Sequence, residues 1–91
     1  MDAAKQWTVD VFISEHEEER VTRAEARLHT GDRTDLRGIG TARRNPHDRE
    51  VPEIGDELAV SRALGDLARR LREATAADIE QLTDEPVRLS G

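Results

Sequence analysis

The chain has 91 residues, a formal net charge of -6 at pH 7, 37% charged residues, one Trp, one Phe, no Tyr and no Cys. That length holds one small domain, residues 1–91, with a thin core and no room for a second, and the acidic balance argues against a generic polyanion binder. Absent cysteine fits a reducing compartment; the N-terminus MDAAKQW lacks the apolar core of a signal peptide; and no stretch approaches the roughly 18 apolar residues of a membrane span, so a soluble, cytoplasmic protein is expected.

In WTVDVFIS, Trp7, Val9, Val11 and Ile13 alternate with Thr8, Asp10, Phe12 and Ser14, the period of a half-buried strand. The charged turn EHEEE, Glu15 to Glu19, separates it from a second strand, VTRAEARLHT. There Thr22, Ala24, Ala26 and Leu28 fall on one side and Arg23, Glu25, Arg27 and His29 on the other. GDRTD then supplies a turn, with Gly31 suited to positive φ.

The stretch TDLRGIGTARRN continues the alternation, placing Leu36, Gly38, Gly40 and Ala42 opposite Arg37, Ile39, Thr41 and Arg43. A dinucleotide-binding loop would leave a strand, carry a third glycine and open a helix. Here Arg43 holds the third glycine position and Asn45-Pro46 makes a turn, so Gly38-Ile39-Gly40 reads as a strand shaved to admit a helix.

That helix follows the loop NPHDREVPEIG and starts between Pro52 and Asp56. Val60, Ala63, Leu64, Leu67, Leu71 and Ala74 form its apolar stripe, with Leu58 and Ala68 beside it. Asp56 and Glu57 suit its first turn and Arg69, Arg70 and Arg72 its last, and Gly65 inside it predicts another close contact. TAAD reads as a Thr75 cap opening a second short helix through about Thr83, ended by Pro86. The expected fold is α+β: a three-stranded antiparallel meander, a long helix on one face and a short C-terminal helix, β-β-β-α-α.

One helix leaves the other sheet face open. Phe12, Val21 and Ile39 project there and are candidates for a dimer or partner contact. Arg23, Arg27, Arg37 and Arg43 are expected on the same face and, with Arg44, are the candidate RNA- or partner-binding residues. Between residues 20 and 49 eight arginines stand against four acids, which makes this stretch basic in an otherwise acidic chain.

Catalytic chemistry finds no constellation. His16 heads HEEE, but a metalloprotease helix needs a second His at position 20, which is Arg. His29 and His47 stand alone, and Ser14, Ser61 and Ser90 have no base beside them in sequence. No catalytic residue, metal site or cofactor is predicted, and the chain reads as non-enzymatic.

The segments WTVDVFISE, GIGTARRNPHDREVPEIGDELAVSRAL and TAADIEQLT resemble a small actinobacterial family of unknown function with a double-stranded-RNA-binding-domain-like (dsRBD-like) fold. The resemblance spans essentially the whole chain. It implies a homodimer, an association with stress and dormancy, and a likeness to ribosome hibernation-promoting factors. A ribosome- or RNA-binding function through the arginine face is therefore the first expectation. The alternative is a protein-interaction module whose arginines meet an acidic protein. Neither DNA nor a membrane is an expected partner.

Overall fold

The computed structural model describes residues 2–31, 36–44 and 52–83. Three strands, β1 (Thr8–His16), β2 (Val21–His29) and β3 (Arg37–Arg43), form an antiparallel sheet in the order β1-β2-β3, followed by one helix, α1 (Pro52–Thr83). β1 extends to His16, two residues beyond the apolar alternation, because Glu15 and His16 still pair with Thr22 and Val21. The intervening turn closes with Arg20 at φ 56°, a conformation that side chains seldom adopt outside turns. Gly31 takes the positive φ expected of it, 93°, after β2; the rest of the turn expected in GDRTD, the turn expected at Asn45-Pro46 and the helix end expected at Pro86 lie outside the described residues.

The meander places the predicted faces as the alternation implies. Ala24, Ala26 and Leu28 of β2 and Ala42 of β3 are buried, Leu36 packs against them, and Gly38 and Gly40 lie beneath α1. Gly38-Ile39-Gly40 is thus a strand. A methyl group at Gly40 would collide with the backbone of Ala63 and Ala59 and stand 2.7 Å from the Arg62 carbonyl carbon. One at Gly38 would collide with Ala63 and Leu67. The helix backbone rests directly on β3.

The helix differs from expectation in three respects. It is continuous: the Thr75 hydroxyl donates to the Leu71 carbonyl at 2.9 Å within the same helix and caps nothing. Ala74-Thr75-Ala76-Ala77 contains no helix breaker, so no second helix begins there. Arg69, Arg70 and Arg72 accordingly lie inside α1, and its last turn holds no basic residue. The seam against the sheet is Ala59, Ala63 and Leu67, spaced at i, i+4 and i+8, while Leu58 and Leu64 are exposed. Contact across glycine strands leaves room only for alanine at its centre. Gly65 has nothing near it; no close contact explains its place.

A second consequence follows for β1. A helix is about 10 Å wide, the width of two strands, and the glycines of β3 draw it over β2 and β3. β1 is therefore exposed along its whole length. Val9, Val11 and Ile13 pair with Leu28, Ala26 and Ala24, so they share the helix side of the sheet, yet among the described residues only the flank of α1 reaches them and each stays partly exposed. The alternation of β1 is real, but its apolar side is not a core face. No helix among the described residues is long and apolar enough to cross a membrane.

Candidate functional site

The sheet face away from α1 has no covering element among the described residues. The register sets its rows: Asp10, Arg27 and Arg37; Phe12, Glu25 and Ile39; Ser14, Arg23 and Thr41; His16, Val21 and Arg43. Period-2 geometry thus brings Arg23, Arg27, Arg37 and Arg43 onto one surface. Arg44 departs from this set. It follows β3, its N–H donates to the Arg20 carbonyl, and alternation directs it to the side opposite Arg43.

The four arginines are not equivalent. Glu25 sits between β1 and β3, accepts from Arg27 Nε at 2.8 Å and lies 3.4 Å from Arg37 Nη1. The Arg27 guanidinium also stands 4.8 Å from the centre of the Phe12 ring, a cation–π contact. At this end Asp10 Oδ2 lies 2.8 Å from His29 Nε2. Arg23 and Arg43 are exposed, diagonal neighbours across β2 and β3, with no carboxylate partner among the described residues. These two arginines lie toward the His16 and Arg43 end, where the exposed turn between β1 and β2 also carries Glu17, Glu18 and Glu19. A shallow depression there is lined by Phe12, Ile13, Ser14, His16, Arg23 and Glu25.

Phe12, Val21 and Ile39 do lie on this face, but they do not form a patch. Glu25 separates Phe12 from Ile39, and Val21 is four residues further along β2. Among the described residues the contiguous exposed apolar row is Val9, Val11 and Ile13 on the opposite side, with the exposed Trp7 just before β1. Alternation supplied the signal for it, but assigned it to the core.

The helix carries a second charged cluster at the edge of β3. Asp66 accepts from Arg69 at 2.7 Å and Arg70 at 3.0 Å, and its Oδ2 also accepts the Ile39 N–H at 2.9 Å. These bonds, the Ile39 amide foremost, hold the Asp66 carboxyl well below the usual carboxylate range. One turn earlier, Arg62 donates to the Thr41 carbonyl at 2.7 Å. This cluster is structural: it fastens the helix to the outer strand. Among the described residues no group of His, Asp and Glu is placed to hold a metal ion.

Similarity to other proteins agrees with this architecture. An uncharacterized protein of Mycobacterium bovis, Mb1767, is 53% identical over 85 residues, covering 93% of this chain and 87% of that one. A Mycobacterium tuberculosis protein, MT2708, also uncharacterized, is 49% identical over 83 residues, covering 91% and 86%. The crystal structure of Rv2632c superimposes with a TM-score of 0.79 at 47% identity, over 93% of this chain and 98% of that one. The model of the Rv2632c-like family matches residues 5–88, and the chain belongs to that family.

Proposed function

We propose that this protein is a non-enzymatic RNA- or ribosome-binding factor that acts as a homodimer in the cytoplasm, with the arginine face of the sheet as its contact surface. The observation that carries the reading is the gathering of Arg23, Arg27, Arg37 and Arg43 on one uncovered face of an otherwise acidic protein. Arginine's planar fork suits phosphate oxygens, and Arg23 and Arg43, which meet no carboxylate among the described residues, are the strongest candidates for them. The first turns of α1 carry Glu53, Asp56 and Glu57, the wrong sign for a phosphate, so contact falls to the sheet. In this reading the fold is a dsRBD-like variant serving stress or dormancy.

A second reading, an acidic protein as partner, draws on the mixture around the arginines. Phe12 and Ile39 are exposed among charges of both signs, a pattern closer to a protein interface than to a phosphate track.

A salt titration of binding to purified ribosomal particles and to RNA stripped of protein separates the two. Each phosphate contact lowers log K by about 0.7 to 0.9 per tenfold rise in salt, so four contacts give a slope near -3. Binding to particles that survives nuclease treatment supports the acidic protein. Failure to bind either sample at ~50 mM salt sinks the RNA reading.

A further inference from the structure

The two edges of the sheet are treated differently. Leu28 N–H donates to the Leu36 carbonyl, so the even residues of β2 direct their backbone groups toward β3 and the odd ones toward β1. By the register, the odd residues of β1 and of β3 then face outward. On β3 those outward groups are met from the helix: Ile39 N–H by Asp66, Thr41 carbonyl by Arg62. On β1 the outward groups of Val9, Val11, Ile13 and Glu15 meet nothing among the described residues.

Apart from the charges of Asp10 and Glu15, β1 also lacks the devices that blunt an edge. It is nine residues long, pairs with β2 without a bulge, and contains no Pro and no Lys. Its helix-side surface is the exposed row Val9, Val11 and Ile13. The helix flank turned from Asp66, which carries Val60, Leu64 and Leu71, overlooks that row. An open strand edge and an exposed apolar row thus coincide on one element.

We propose that β1 pairs antiparallel with β1 of a second copy, with Val11 on the two-fold axis, making one continuous six-stranded sheet. This rests on the dimeric part of the reading above and names the surface that joins the copies. The occupant is a second copy because β1 is complementary to itself. With Val11 opposite its own mate, Val9 meets Ile13 and Ile13 meets Val9, so each apolar residue of the row faces another. The outward backbone groups, all on odd residues, face one another as an antiparallel ladder requires. On the other side Asp10 meets Phe12 and Thr8 meets Ser14, with no like charges opposed. Joining the copies also sets their arginine faces side by side on one surface of the enlarged sheet, while β3, closed by Asp66 and Arg62, stops further addition.

The absence of cysteine makes the register measurable. Directly paired residues hold Cα atoms about 5.5 Å apart, within disulfide range. Under mild oxidation in nucleic-acid-free buffer, Val11→Cys should cross-link nearly completely into a dimer. Val9→Cys, which never meets its own mate, should stay uncross-linked. Light scattering at ~100 μM should show a wild-type dimer and a Val11→Lys monomer with unchanged circular dichroism, as Val11 is solvent-facing in one copy. Efficient cross-linking at Phe12→Cys instead of Val11→Cys would overturn the register. A monomeric wild type, or a Val11→Lys protein as dimeric as wild type, would overturn the interface. A dimer that binds no RNA leaves this inference standing and removes only the RNA reading.

Discussion

The Ile39 amide lies 2.9 Å from Asp66 Oδ2, a bond between residues 27 positions apart that ties the middle of the helix to the edge strand β3. Since Asp66 also accepts from Arg69 and Arg70, one carboxylate orders the helix surface and closes the strand.

Asp66→Asn should lower the melting temperature at pH 7. Because the folded carboxyl titrates below its unfolded value of about 3.9, its contribution is complete above that value and is lost as pH falls further. The gap between wild type and Asp66→Asn should therefore be constant from pH 5 to 7 and narrow below pH 4. Thermal melts across that range check it; a gap that widens in acid would mean that the bonds do not favour the ionised form.

Removing both closures, with Arg62→Ala and Asp66→Ala together, should expose the β3 edge and allow strands to add there. Sedimentation should reveal species larger than those of the wild type, growing with concentration. The same double change in the Val11→Lys background should allow pairing only through β3.

Gly40→Ala should cost about 1 to 3 kcal/mol, since the added methyl meets helix backbone that has no rotamer to yield. Gly65→Ala, in a helix position with nothing near it, should gain about 0.5 to 1 kcal/mol. Urea denaturation of the two variants beside wild type gives both signs in one experiment.

If the arginine face binds RNA as proposed, Glu25→Gln should strengthen that binding and steepen its salt dependence by releasing Arg27 and Arg37. Arg23→Gln with Arg43→Gln should weaken binding more than Arg27→Gln with Arg37→Gln, because the latter pair is already partly neutralised. Equal losses from the two pairs would show that Glu25 does not set the free charge of the face.

The strands, the turn between the first two and the long helix were legible because period 2 and period 3.6 are local properties. The arginine face was legible for the same reason, and so was the place of Glu25 within it. Which side of β1 is covered was not, since alternation says only that two faces differ. Coverage depends on where the helix settles, and the glycines of β3 decide that. The helix seam was misread by the same route: Leu64 is the more apolar residue, but Ala59 is the one that fits against Gly40. Thr75 looked like a cap because capping and back-bonding hydroxyls share one residue type; here the carbonyl of Leu71 wins.

The 32 residues of α1 span about 48 Å at 1.5 Å per residue, whereas the nine residues of the longest strand reach only about 30 Å. The seam ends at Leu67, and Leu82 near the helix end is almost fully exposed. The helix should therefore exchange its amide hydrogens in two tiers. Those from about Ala59 to Leu71 should open only with the whole domain, and those of the last turns through local fraying, thousands of times faster.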